Sequence, residues 1–140
     1  MAVAGPFHCE VITPFRKAAS LDVIEVIAPA ASGEVGILPG HTPFLAMLGS
    51  GPLRLREPGG KEHIFACHGG FLQVSEKGVV VLADKAESLD ELDPVEIEKQ
   101  RNELEHVLKS ISFTSEDYAR TVSNIEENRT RAHVARQKTH

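Results

Sequence analysis

A chain of 140 residues with 41% hydrophobic and 25% charged side chains has ordinary globular composition, and its length suits one domain with at most a short appendage. Lys and Arg number 15 against 20 Asp and Glu, a formal charge of −5, which is the wrong sign for a nucleic-acid surface. The two cysteines, Cys9 and Cys67, exclude a disulfide scaffold, no apolar run nears the ~20 residues of a membrane-spanning helix, and residues 1–9 lack a signal-peptide layout. A soluble, cytosol-facing chain is expected.

Glycine and proline divide the chain into two unequal parts. All 11 glycines lie between Gly5 and Gly78, and of the 8 prolines only Pro94 lies beyond Pro58. Both residues punctuate turns and weaken helix interiors, so short turn-bounded elements should be followed by helix. The expected boundary gives a domain over 1–88 and a second region over 89–140.

In the first region, residues 7–13, 21–28, 35–38, 53–56, 63–67, 71–74 and 79–83 read as strands separated by turn compositions such as Glu57-Pro58-Gly59-Gly60-Lys61 and Ser75-Glu76-Lys77-Gly78. Leu53-Arg54-Leu55-Arg56 alternates and should bury one face, whereas Val79-Val80-Val81-Leu82-Ala83 is apolar throughout and should be covered on both. Short, regular, hairpin-linked strands predict an antiparallel β-sandwich or barrel.

The second region changes period. Asp93-Pro94-Val95-Glu96 reads as a helix start, with Asp93 as N-cap, Pro94 in the first turn and Glu96 closing a capping box. Ile97, Leu104, Leu108 and Ile111 then mark one helix face, widened by Val107. Ser115 caps a second helix, whose apolar line of Tyr118, Val122 and Ile125 is too narrow to be buried alone. That helix should fold back on the first, bind a partner, or alternate between the two. Beyond Glu127 the charges are all basic: Arg129, Arg131, Arg136 and Lys138. The expected fold class is therefore α+β, mainly β: an N-terminal antiparallel β-sandwich followed by a C-terminal antiparallel two-helix hairpin.

No catalytic constellation stands out. His8-Cys9 and Cys67-His68 are mirror-image pairs, but neighbours on a strand point to opposite faces and cannot share one ion without a bulge. Cys as a core residue and His as an edge or surface residue is the simpler reading of these, and of His41 and His63. No serine lies in a Gly-x-Ser-x-Gly elbow, and the glycine-rich stretch 33–41 lacks the Lys-Ser/Thr of a phosphate loop. A stand-alone sandwich enzyme or metal protein using the histidines stays open as the alternative.

The stretch Gly33-Glu34-Val35-Gly36-Ile37-Leu38-Pro39-Gly40-His41-Thr42-Pro43-Phe44-Leu45 resembles the hallmark of the epsilon subunit of bacterial F-type ATP synthases. Gly69-Gly70-Phe71-Leu72-Gln73-Val74, Val79-Val80-Val81-Leu82-Ala83-Asp84 and Asp117-Tyr118-Ala119 resemble further motifs of that family in the same order. The resemblance implies a non-catalytic rotor subunit of the central stalk, beside the gamma subunit and on the c-ring, coupling ring rotation to ATP synthesis. It implies inhibition of ATP hydrolysis when the C-terminal helices reach the alpha/beta head. It also implies peripheral attachment, through the complex alone, to the cytoplasmic face of the bacterial plasma membrane. By the same resemblance Glu34 falls in the turn facing the c-ring and His41 on the gamma-facing side. Arg129, Arg131 and Arg136 fall where the second helix meets an acidic loop of the beta subunit. Some members bind ATP through an Ile/Leu-Asp-x-x-Arg-Ala segment; here Leu92 and Asp93 fit, but Glu96 and Ile97 replace Arg and Ala. No cofactor is therefore expected.

Overall fold

The computed structural model describes residues 5–139; residues 1–4, on which part of the leader reading fell, and residue 140 lie outside it. Eight strands come first: β1 Phe7–Ile12, β2 Lys17–Val23, β3 Glu25–Ala30, β4 Gly33–Ile37, β5 Phe44–Met47, β6 Ser50–Arg56, β7 Glu62–Ser75 and β8 Gly78–Ser88. A single 3-10 turn, Leu89–Glu91, leads to helix α1 Pro94–Ser110 and helix α2 Glu116–Ala135, and a second 3-10 turn spans Arg136–Thr139.

The strands follow the order β2-β1-β8-β7-β6-β3-β4, with β5 added to β7. β7 makes two sheets of this ladder: its first half, His68 included, pairs with β6, and its second half, from Phe71, pairs with β5. The bend falls at Gly69 and Gly70, with φ +69 and +105, and a Cβ on Gly70 would sit 1.9 Å from the Leu82 carbonyl oxygen. Only glycine permits that backbone at that closeness. β8 follows the same bend, pairing with β7 from Ser75↔Gly78 to Phe65↔Ser88 and, in parallel, with β1. The two sheets close over one core that includes Cys9, Val11, Val26, Leu53, Leu55, Leu72, Val79 and Val81.

Several boundaries differ from the sequence reading. Residues 21–28 divide between β2 and β3 at Ile24, whose N–H bonds the Arg56 carbonyl at 2.8 Å. Residues 63–67 and 71–74 are one continuous strand, because Gly69-Gly70 bends the chain without reversing it. β5 escaped the reading altogether. In β8 only one face is closed: Val79 and Val81 are core, whereas Leu82 is exposed.

Helix α1 begins as expected at Asp93, whose carboxylate accepts from the Val95 N–H at 3.0 Å. The reciprocal bond from Glu96 is not made, since Glu96 points to solvent. Ser115 caps α2 by accepting from the Asp117 N–H at 3.1 Å. α2 folds back along α1 and also lies across β6 and β7. A small second core, formed by Ala66, Leu92, Ile97, Val134 and Ala135, joins the base of the hairpin to the sandwich.

Candidate functional site

Three surfaces carry the residues of interest. The first is the outer face of the β2-β1-β8-β7-β5 sheet. Met47 pairs with Phe71, Phe71 with Leu82, and Leu82 with Ile12, so one apolar row crosses four strands. Met47, Phe71 and Leu82 are 63%, 47% and 43% exposed, and Leu45 in the adjoining row is 69% exposed. The hairpin covers the other sheet, and among the described residues no helix lies over this row. A continuous exposed apolar patch on a soluble fold marks a docking surface.

The second surface is the segment 33–43. Glu34 lies on β4 opposite Pro29, exposed at a sheet edge. His41 is half-buried and packs edge-on against Phe7, with ring centroids 4.9 Å apart. Its Nε2 lies 2.8 Å from the Ser75 carbonyl and its Nδ1 3.1 Å from the Leu38 carbonyl. A neutral ring has one N–H, so the tautomer selects which carbonyl receives it. With the proton on Nε2, His41 ties the loop preceding β5 to Ser75 at the β7–β8 turn; with it on Nδ1, the bond stays within the loop, to Leu38.

The third surface is the seam between α2 and the sandwich. Ser123, Glu127, Thr130 and Val134 are spaced 4, 3 and 4 apart and so share one helix face. Ser123 Oγ lies 3.4 Å from His68 Nε2, Glu127 takes Lys85 Nζ at 3.0 Å, and Thr130 and Ser50 share a hydroxyl bond of 2.6 Å. The neighbouring face holds α1: Asn128 Nδ2 donates to the Ile97 carbonyl at 3.0 Å and to Gln100 Oε1 at 2.9 Å. Arg131 joins all three parts. Its Nη1 donates to Gln100 at 2.8 Å, and its Nε lies 2.7 Å from Glu87 Oε1 at the end of β8. The Nε–H does not point along that short contact; the directed bond runs from Nη2 to Glu87 Oε2 at 3.3 Å.

Among the three basic residues singled out from sequence, Arg131 is therefore engaged in the seam, while Arg129 and Arg136 are exposed near the end of α2. The residues resembling a nucleotide motif take other places. Leu92 and Ile97 are buried in the small core, Asp93 is the helix cap, and Glu96 borders a shallow groove of about 340 Å³ with Lys99, Gln100, Glu103 and Arg131. The cysteines are core residues, and burial pushes both thiols up to about 12. His8 faces Asp22 and Ser20 on β2, and His63 faces Glu57. Among the described residues no three His, Cys, Asp or Glu side chains converge as metal ligands would.

Sequence reasoning missed Ser50, Lys85, Glu87, Gln100, Ser123, Glu127, Asn128 and Thr130. The signal was helical spacing written in polar residues, which hydrophobic periodicity does not register.

A sandwich with one uncovered apolar face, joined to a hairpin through a polar seam, has the build of an assembly subunit. Residues 6–89 match the family described as ATP synthase, delta/epsilon chain, beta-sandwich domain. The ATP synthase epsilon chain of Teredinibacter turnerae is 35% identical over 125 residues, 89% of this chain and 89% of that one. The epsilon chain of Solibacter usitatus is 51% identical over 84 residues, 60% of this chain and 62% of that one. In a cryo-EM structure of the Euglena gracilis mitochondrial ATP synthase, one chain superposes with a TM-score of 0.80 at 20% identity, over all of this chain and 85% of that one, a likeness of fold.

The protein belongs to the epsilon chains of F-type ATP synthases. It is a non-catalytic subunit of the central stalk, part of the rotor. These relationships lend no support to a stand-alone metal protein or enzyme. No helix among the described residues is long and apolar enough to cross a membrane, as fits a subunit attached peripherally to a membrane-associated complex.

Proposed function

We propose that the apolar row Met47–Phe71–Leu82, with Leu45, seats the gamma subunit, and that the sandwich thereby couples gamma to the c-ring. The row carries this reading because it is large, continuous and exposed among the described residues. Glu34 and its turn, at the exposed edge of β4, meet the polar loops of the c-ring. His41 stiffens the loop leading into β5 and so sets the position of Leu45 and Met47. The subunit binds no cofactor of its own.

The hairpin supplies regulation. Its distal apolar residues, Leu104, Leu108, Ile111, Tyr118, Val122 and Ile125, are only half-buried, so the docked helices keep apolar surface for a second environment. In that environment the basic end of α2, with Arg129, Arg131 and Arg136, meets acidic groups of the alpha/beta head and restrains ATP hydrolysis. The complex holds the subunit at the cytoplasmic face of the bacterial plasma membrane.

Titration of the full chain and its F71E/L82E variant against purified gamma tests the seat. Both positions are exposed, so the variant should fold with an unchanged melting profile and bind gamma at least about a hundredfold more weakly. Equal affinity would sink the assignment.

A further inference from the structure

We propose that Glu87 is the latch of the hairpin: by holding Arg131 against the end of β8, it keeps both helices seated and withholds the arginine from any other carboxylate. The inference deepens the hairpin reading above, and its second arm rests on that reading.

The seam is held mainly by polar contacts. Three hydroxyl contacts, Ser50 with Thr130 and with the Glu126 carbonyl and Ser123 with His68, and two ion pairs, from Lys85 and Glu87, meet one face of α2 and its edge, and the buried apolar cluster of the seam is the small core at the base of the hairpin. Such contacts exchange for water at little net cost, so docking rests on the few that are withdrawn from solvent. Arg131 and Glu87 are the most enclosed ion pair of the seam, with side chains 21% and 32% exposed; the Lys85 end of the other pair is 56% exposed.

Position adds to burial. Glu87 is the next-to-last residue of β8, directly before the connector that leads to α1. Arg131 reaches from α2 to Glu87 and, through Nη1, to Gln100 of α1. One side chain thus closes the triangle of sandwich, α1 and α2 at the point about which a hairpin would swing. Loss of this joint frees both helices together.

The geometry is that of a contact made to be exchanged. Arg131 and a carboxylate satisfy each other best through two parallel N–H bonds, but here the Nε–H is not aimed at its oxygen and the directed bond is long at 3.3 Å. A carboxylate presented by an acidic partner offers the same chemistry with freedom to adopt the better fork. Docking and presentation are therefore mutually exclusive states of one guanidinium, and Glu87 sets the balance.

Spin labels on K61C, at an exposed turn of the sandwich, and T114C, at the exposed tip of the hairpin, report docking in the isolated full chain. The native thiols are buried in the core and stay unlabelled. E87Q and R131Q should each raise the ratio of undocked to docked molecules about tenfold, and the pair together no further. The charge-reversed pair E87R/R131E should restore docking, which separates a latch from a loss of folding. K85Q, at the exposed pair, should shift the ratio less than twofold. Unchanged distance distributions in E87Q and R131Q, or an equal shift in K85Q, would overturn the latch.

The second arm adds each variant to the reconstituted catalytic head. E87Q should inhibit ATP hydrolysis more strongly than the natural chain, and R131Q less. Release of the hairpin without a change in inhibition upholds the latch and instead removes the inhibitory role from the basic end of α2.

Discussion

The hydroxyls of Ser50 and Thr130, 80 residues apart in the chain, meet at 2.6 Å where α2 crosses β6. Thr130 is buried, and Ser50 has a second, longer contact with the Glu126 carbonyl at 3.4 Å. T130V keeps the shape and removes the hydroxyl, leaving the half-buried Ser50 hydroxyl without its better partner. Docking should weaken by about 1 kcal/mol, and the melting of the sandwich should not move. Amide exchange along α2 checks this: protection should fall there and hold in β7 and β8.

The bend of β7 provides a sharper test. A Cβ on Gly70 would collide with the Leu82 carbonyl in a backbone region that side chains avoid, whereas one on Gly36 meets nothing within 4 Å. G70A should cost about 3 kcal/mol or more, and G36A should lie within about 0.5 kcal/mol of the natural chain. Urea denaturation followed by circular dichroism measures both. Equal, small effects would mean that the corner tolerates side chains.

The cysteines give the alkaline limit. Burial raises both thiols from the ordinary value of 9.0 to about 12, with Glu10 adding to the effect at Cys9 and Asp84 at Cys67. The folded state therefore holds these protons more tightly than the unfolded chain. That contribution to stability is complete below pH 9 and is lost as pH rises from about 9 toward 12. Thiol reagents at pH 8 should leave the folded protein unmodified and label both positions in denaturant. Fast labelling of the folded chain would contradict the enclosed core.

Among the described residues the main core contains none beyond Ala86, although β8 continues to Ser88. A fragment of residues 1–88 should thus fold cooperatively, with some loss from uncovering Ala66 and Ile64. It should also bind gamma as the full chain does, since the apolar row is complete within it. Denaturation and a gamma titration of the fragment decide the point, and failure of either would assign essential contacts to the hairpin.

At the start of α1, Asp93 is spent on the helix cap and Ile97 on the small core, and Glu96 sets a carboxylate beside the groove. A phosphate ~4 Å from that carboxylate, at an effective dielectric near 20, is repelled by about 4 kcal/mol before relaxation. Calorimetric titration with Mg-ATP should therefore show no low-micromolar site. A dissociation constant in that range would make the hairpin a nucleotide sensor.

Much of this fold was readable because burial leaves a period. Leu53 and Leu55 alternate with Arg54 and Arg56 in both sequence and structure, and Asp93 and Ser115 cap helices where their side chains suggest. Reading failed where one residue type serves two purposes. Gly69-Gly70 has turn composition but bends a single strand, and in the strand Phe44–Met47 the small Ala46 packs against the core while the larger Leu45 and Met47 face outward. The seam was invisible for a different reason. Its residues repeat at helical spacing, yet they are Ser, Glu and Thr, and only contact with His68, Lys85 and Ser50 gives that spacing a meaning.

The shared strands have a mechanical consequence for a rotor part. β7 and β8 pass through both sheets as one ladder, from Ser75↔Gly78 at one end to Phe65↔Ser88 at the other. A gamma subunit seated on the Met47–Phe71–Leu82 row would be joined by backbone hydrogen bonds, many in parallel, to the strands beneath α2. In that arrangement the sandwich would act as a stiff collar, leaving compliance to the hairpin it carries.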